Sequence, residues 1–381
     1  MKVEVNKDVF SEAVSFAVKL LPQRTTLPIL SGVLISAEDN AVTISSFDYE
    51  VSAKTRVDAA VDTAGQVLVS GRLLAEIASR LPDDVVNLEL SGSSLSVKSG
   101  SAKFSLATMP IEEYPNLPEV EGIAGSIAGD EFASAVSQVA TAASRDDVTP
   151  VITGVLLDIT ASSLTMMATD RYRVAAKELA WSAAGVAEEG LQALIPARTL
   201  AEIGKTFAHA GSLTITINVG GERELVAFSS AERTVTTLLI KGSFPPVQKL
   251  FPDTTPDYAV VSTSDLIEAT RRVALVLERE APLRFTFNAD GVGLEALGSD
   301  QAQASEHIDG HLVGKECVVS LKPQFLIDGL SAAHSDFVRV AFTQTDNPNK
   351  PGPVLITAQT SKDSDDSHNY RYLLQPNLLM R

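Results

Sequence analysis

Pro150-Val151-Ile152-Thr153-Gly154-Val155-Leu156-Leu157 is a second writing of Pro28-Ile29-Leu30-Ser31-Gly32-Val33-Leu34-Ile35. Both run proline, two apolar residues, a hydroxyl, glycine and three apolar residues. In each copy the glycine opens a strand-like run, and a helical pattern comes before the proline. The copying continues outward. Leu194-Ile195-Pro196-Ala197-Arg198-Thr199-Leu200-Ala201-Glu202-Ile203 matches Leu68-Val69-Ser70-Gly71-Arg72-Leu73-Leu74-Ala75-Glu76-Ile77, and Phe244-Pro245-Pro246 stands where Tyr114-Pro115 stands. A third, more diverged pass places its helices at 264–276 and 322–330. The repeat is roughly 120–130 residues, the size of a whole domain and not of a solenoid unit.

Within the first copy, Phe10, Ala13, Val14, Ala17, Val18 and Leu21 share one helical face, and Pro22 ends it. Strand-like runs at 29–36 and 41–47 meet at the turn residues Glu38-Asp39-Asn40. A strand at 65–70 feeds a second helix at 72–81, and strands follow at 85–90, 94–99 and 102–107. The second copy opens with a helix at 130–140. The fold class is therefore α+β: three repeated domains, each with two helices packed on antiparallel sheets. Stretches rich in Pro, Gly or acidic residues near 118–125 and 252–256 set the domains at 1–121, 122–254 and 255–381.

Of 381 residues, 45% are hydrophobic and 21% charged, enough apolar material for real cores. No apolar run approaches the ~18–20 residues that span a bilayer. The first residues, Met1-Lys2-Val3-Glu4-Val5-Asn6-Lys7-Asp8, carry charges where a signal peptide needs an apolar stretch. With a single cysteine, Cys317, in a strand-like run, a reducing cytoplasm and a buried, inert thiol are expected. A net charge of −17 opposes broad affinity for nucleic acid. Binding follows the local field over one face, however, so an acidic chain can still hold a basic strip.

The common catalytic signatures are missing. Gly314-Lys315 is followed by Glu316 where a phosphate-binding loop needs Ser or Thr, and there is no G-x-S-x-G, H-E-x-x-H or C-x-x-C. His307 and His311 sit four apart, the spacing of a helical metal pair, but Gly310 lies between them in a part of the repeat that reads as strand, so an exposed loop is expected and not a metal site. Asp146-Asp147 and Asp363-Ser364-Asp365-Asp366 read as solvated loops. No metal and no cofactor are expected; an enzyme with a site between repeats is the rival class.

The remaining unusual stretch is Met167-Ala168-Thr169-Asp170-Arg171-Tyr172-Arg173-Val174-Ala175. It starts as an alternating strand, presents an acid and two cations, then returns to small apolar residues. A strand end or one wall of a surface pocket would both read this way.

Thr169-Asp170-Arg171-Tyr172-Arg173-Val174-Ala175 is similar to the Thr-Asp-x-x-Arg-[Leu/Val]-Ala motif of the bacterial DNA polymerase III beta subunits, the sliding clamps. Leu27-Pro28-Ile29-Leu30, Phe244-Pro245 and Tyr372-Leu373-Leu374-Gln375-Pro376 extend the resemblance over the whole chain in the family's order. The resemblance implies a non-catalytic processivity subunit, counted with DNA-directed DNA polymerase (a nucleotidyltransferase) only as part of the holoenzyme. It implies a head-to-tail homodimer closed around duplex DNA without sequence preference. It implies DNA-facing cations at Arg24, Arg72, Arg80, Arg198, Lys205, Arg271 and Arg272; Arg198 and Lys205 are seven apart, about two turns, and so face one way. Finally, it implies a groove for linear peptides of the polymerase alpha subunit, the clamp loader and other clamp-binding-motif proteins. Its walls would be Ile152, Thr169, Arg171, Tyr172, Arg173, Val174, Pro245, Leu250, Gln375, Pro376 and Asn377. The family tail commonly reads Met-Pro-x-Arg-Leu; Gln375-Pro376-Asn377-Leu378-Leu379-Met380-Arg381 departs from it, which points to a diverged paralogue as the alternative.

Overall fold

A computed structural model of the protein describes residues 1–21, 25–184, 190–218, 223–278, 281–296, 302–343, 351–362 and 369–377. Arg24, the acidic run at 363–366 and residues 378–381 lie outside them. The described residues form six α-helices: α1 (Lys7–Lys19), α2 (Gly71–Ala78), α3 (Gly129–Ala140), α4 (Ala197–Phe207), α5 (Thr263–Val273) and α6 (Pro323–Ala332). Asn6 caps α1, its side chain accepting from the Asp8 and Val9 amides at 2.9 and 3.2 Å, and Phe10, Ala13, Val14 and Ala17 turn inward. The second helix is shorter than its apolar pattern, because Ser79 closes α2 by donating to the Ala75 carbonyl. In the third repeat α5 tightens into a 3₁₀ turn at Ala274–Val276.

The chain divides into two compact units that do not follow the three repeats. One gathers Met1–Asp130, the strand Ser182–Ala184 and Glu202–Leu239 around a fourteen-stranded sheet. In it the strand Arg233–Leu238 of the second repeat pairs antiparallel with Val51–Asp58 of the first. The other holds Glu131–Trp181, Leu191–Pro196 and Ile240–Arg381, with a nine-stranded and a four-stranded sheet. There Arg173–Ala180 pairs antiparallel with Tyr370–Leu374, so second-repeat and third-repeat strands share one sheet.

The repeated octapeptide has a structural reason in both copies. Pro28–Ser31 and Pro150–Ile152 are 3₁₀ turns, and the following hydroxyl folds back on the proline carbonyl: Ser31 Oγ to Pro28 O at 2.6 Å, Thr153 Oγ1 to Pro150 O at 2.7 Å. The glycine then passes close to the next strand. A Cβ on Gly32 would lie 2.8 Å from Leu68 Cδ1, and one on Gly154 the same distance from Leu194 Cδ1. In both copies the glycine lets the copied leucine pack against the backbone.

Two sequence readings are adjusted. His307 and His311 are exposed in a strand-like part of the repeat, as expected, but on strands and not on a loop: Ala304–Ile308 and Gly310–Val313 belong to different sheets, and His307 Nε2 lies 3.0 Å from the Asp290 carbonyl oxygen. Cys317 begins the strand Cys317–Leu321 but is half-buried, not buried. Burial, with a contribution from Asp257, pushes its thiol up to about 11, so it stays protonated and unreactive.

Candidate functional site

The strands Ser163–Thr169 and Arg173–Ala180 form a hairpin whose turn is Asp170-Arg171-Tyr172. Asp170 organises that turn. Its Oδ1 accepts from the Tyr172 and Arg173 amides at 3.0 and 3.1 Å, while Thr169 Oγ1 donates to the Arg173 carbonyl at 2.7 Å. Arg171 sits at φ 80°, a left-handed conformation unusual for a residue with a Cβ. The first repeat builds the same turn: Asp48 Oδ1 accepts from Glu50 and Val51, and Tyr49 has φ 74°.

Beside this turn lies a groove of ≈ 400 Å³, within the range of small-ligand and peptide-anchor sites. The Pro150–Ile152 turn supplies Val151 and Ile152; the loop before and through the 3₁₀ turn Val247–Leu250 supplies Ser243, Pro245, Val247 and Leu250; Pro353, Leu373 and Gln375 complete it. Val174, 4% exposed, packs with Val247 and Leu373 in one apolar cluster, while Leu250 stands 57% exposed. The Gln375 amide donates to the Tyr172 carbonyl at 2.9 Å, tying the tail to the turn. The surface is apolar, with hydroxyl, amide and guanidinium groups around it, which suits burial of apolar anchors and not bond-breaking chemistry.

Nine expected residues meet in this groove: Ile152, Thr169, Arg171, Tyr172, Arg173, Val174, Pro245, Leu250 and Gln375. Pro376 is buried and Asn377 is drawn to the neighbouring sheet, its amide donating to the Ser320 carbonyl at 2.8 Å; neither lines the groove. Thr149, Val151, Ser243, Val247, Pro353 and Leu373 line it without having been singled out. Position in the repeat could have found Val151, which aligns with Ile29, and Val247, which follows Pro245-Pro246.

Arg173 reaches away from the groove mouth into a buried network. Its guanidinium pairs with Asp170 at 2.9 Å and Asp328 at 2.6 Å, donates to the Tyr372 hydroxyl at 3.1 Å, and lies 4.3 Å from the Phe325 ring centre. The Tyr372 hydroxyl in turn donates to the Phe325 carbonyl at 2.7 Å. Burial works against the charge of Arg173, but Tyr372, Asp328 and Asp170 outweigh it and hold its proton more tightly than usual. Burial pushes the Tyr372 phenol up, so its hydroxyl remains a proton donor around neutral pH. The network fixes the hairpin against α6 and the strand Tyr370–Leu374.

Of the expected DNA-facing cations, Arg72, Arg80, Arg198, Lys205, Arg271 and Arg272 are all exposed on or beside helices. Several are partly neutralised: Lys205 pairs with Glu202 at 2.8 Å and Arg271 with Glu268 at 2.7 Å, each three residues apart. Arg272 clasps Glu306 with two bonds, 3.0 and 2.5 Å. Among the described residues no three His, Cys, Asp or Glu side chains gather as a metal site, and no helix is long and apolar enough to cross a membrane.

Models of the DNA polymerase III beta subunit match along the chain: its N-terminal domain over residues 1–118, its central domain over 126–246 and its C-terminal domain over 248–368. The beta sliding clamp of Streptomyces coelicolor is 41% identical over 99% of each chain. That of Micrococcus luteus is 46% identical over 81% of this chain and 98% of its own. The beta sliding clamp homolog GriR of Streptomyces muensis is 36% identical over 99% of each chain. In fold, the DNA polymerase sliding clamp of Bacillus subtilis superposes with a TM-score of 0.89 at 24% identity, and a Pseudomonas aeruginosa clamp bound to griselimycin with 0.88 at 24%; each covers 100% of both chains.

Proposed function

The chain belongs to the bacterial DNA polymerase III beta subunit family, and from that premise we propose that it closes as a head-to-tail homodimer around duplex DNA while its groove takes linear peptides. It is a non-catalytic sliding clamp for DNA polymerase III; polymerase chemistry belongs to the holoenzyme. The peptides come from the polymerase alpha subunit, the clamp loader and other clamp-binding proteins. Domains at 1–121, 122–254 and 255–381 provide three of the ring's six, and its work is intracellular.

A closed ring holds DNA by topology, so weak contacts to phosphates suffice and sliding is not hindered. Arg72, Arg80, Arg198, Lys205 and Arg271 supply those contacts, with Arg24 and Arg272 as further candidates. The Glu partners of Lys205 and Arg271 keep the attraction shallow.

The observation that carries the groove assignment is the apolar cleft walled by Val174, Val247, Leu250 and Leu373 beside an ordered turn. The test titrates a fluorescent polymerase-derived peptide with apolar anchors against wild type, Val174→Glu, Leu250→Asp and a chain lacking residues 375–381. An unpaired charge in an apolar pocket costs several kcal/mol, and a loss of ~2.8 kcal/mol is about a hundredfold in affinity. Val174→Glu is expected to lose at least that. Leu250→Asp, at an exposed position that folding tolerates, is expected to lose about tenfold, and the deletion a similar amount. Unchanged affinity in all three would move the groove elsewhere.

A second reading is favoured by Gln375, which stands in the groove where the family tail commonly carries methionine. A thioether moulds to apolar ligands, whereas an amide does not. On this reading the chain is a variant clamp with altered partner preference. Failure to raise the processivity of a polymerase served by a Met-tailed clamp, with the ring intact, would decide for it.

A further inference from the structure

We propose that Arg171 is a specificity-determining residue of the groove, favouring apolar peptides that carry an acidic residue beside their anchors. This deepens the groove reading and rests on it. Three observations converge on this one side chain.

The first is backbone conformation. Arg171 holds φ 80°, which glycine adopts freely and other residues adopt at a cost. The turn itself needs only Asp170 and Thr169 for its hydrogen bonds, so a long cationic side chain there adds nothing to the turn.

The second is how the guanidinium is used. Arg171 Nη2 donates to Thr149 Oγ1 at 2.6 Å, and both residues line the groove. Among the described residues no carboxylate pairs with it. The nearby acids are committed elsewhere: Asp170 and Asp328 to Arg173, and Asp146 Oδ1 to the Val148 amide at 3.0 Å. A planar fork with donors to spare matches a carboxylate in two-point geometry.

The third is position. Arg171, with Thr149, Ile152 and Tyr172, lines both the apolar groove and an adjoining cleft of ≈ 670 Å³. A peptide whose anchors fill the groove therefore sets its next residue against Arg171. That cleft also contains Arg145, a second cation with no carboxylate partner among the described residues. In a chain of net charge −17 an acidic peptide meets general repulsion, so a local fork is what would make an acid acceptable at one place only.

The test uses acetylated, amidated fluorescent peptides with Leu-Leu-Phe anchors. One pair carries aspartate or asparagine before the anchors, and a second pair carries them after. Wild type, Arg171→Gln and Arg171→Lys are compared by anisotropy; both variants keep a side chain at the same φ, so the backbone cost is matched. Wild type is expected to bind the aspartate member of one pair about threefold to tenfold more tightly, as a partly solvated, two-point ion pair allows. Arg171→Gln brings the aspartate-to-asparagine affinity ratio to about one whatever it does to overall affinity, while Arg171→Lys keeps part of the preference. Equal binding of both members of both pairs to wild type, or a preference that survives Arg171→Gln, overturns the inference and leaves the groove standing. Absence of binding by every peptide, or binding indifferent to Leu250→Asp, sinks the groove reading and this inference together.

Discussion

Arg173 was legible in the sequence as a cation where the strand alternation breaks, but its partners were not. It lines the groove as expected, and its guanidinium is also held by Asp170, Asp328 and Tyr372. Two of those partners lie more than 150 residues away in sequence, and no local pattern announces them. Removing the cation strands two carboxylates that can rehydrate only in part, so Arg173→Met is expected to destabilise the protein by about 2–3 kcal/mol. Asp328→Asn leaves Asp170 in place and costs about 1 kcal/mol; thermal melts of both variants check the order. Tyr114 gives a second case. Its hydroxyl accepts from the Phe47 amide at 2.7 Å and donates to the Gly32 carbonyl at 3.3 Å. Burial pushes its pKa from 10.0 up to about 12, against the Phe47 hydrogen bond. A raised folded value means that the folded state holds the proton more tightly. The contribution is therefore full below pH 10 and lost as pH rises from 10 to about 12. Tyr114→Phe is expected to lower stability at neutral pH and to flatten that alkaline decline. Parallel declines of wild type and variant across the window would assign alkaline sensitivity to other groups.

Helices were the most legible elements, because Phe10, Val14 and Ala17, or Leu266, Ala269 and Val273, bury at helical spacing. Their solvated faces were harder to read. Lys205 and Arg271 read as a positive field, yet each is held by a glutamate one turn away. Exposed pairs of this kind contribute little to stability, about 0.3–0.5 kcal/mol each, so their main effect is on the field. Glu202→Gln with Glu268→Gln is therefore expected to leave the melting temperature nearly unchanged. It should tighten equilibrium binding of linear duplex DNA several-fold at low salt and steepen its salt dependence. A DNA affinity indifferent to the double substitution would place α4 and α5 away from the duplex. The groove shows the same division. Its turn was visible in Thr169 to Val174, where strand alternation breaks. Leu373 was not, because Tyr370–Leu374 is buried on both faces and offers no alternation to read. Pro353 comes from a loop distant in sequence, and only the sheet brings it beside Val174.

At the scale of the whole molecule, the repeats were legible because each copy solves the same packing problem with the same residues. How their strands are shared was not: Arg233–Leu238 and Val51–Asp58 carry no sign in sequence that they pair. A ring of two chains needs two equivalent, heterologous joints, so each chain must offer two complementary surfaces. Each compact unit has an open edge. In the first, Ala102–Met109 pairs with Gly65–Ser70 only through Thr108 and Met109, which leaves 102–107 unpaired on that side. In the second, Ala304–Ile308 ends its sheet, and Leu275, 83% exposed, stands just beyond α5, whose Arg272 bonds Glu306 on that strand. Open edges beside exposed apolar residues invite pairing with another chain, and head-to-tail closure would satisfy both edges at once. Native mass spectrometry at micromolar concentration is expected to show twice the mass of one chain. Leu275→Asp, at a position 83% exposed in the single chain and so tolerated by folding, is expected to shift the population to monomer by at least tenfold in dissociation constant. Wild type alone should remain on circular DNA in salt that abolishes binding to linear DNA. A Leu275→Asp protein that stays dimeric would place the joint on other surfaces. A wild-type monomer would leave the edges unpaired and remove the ring itself.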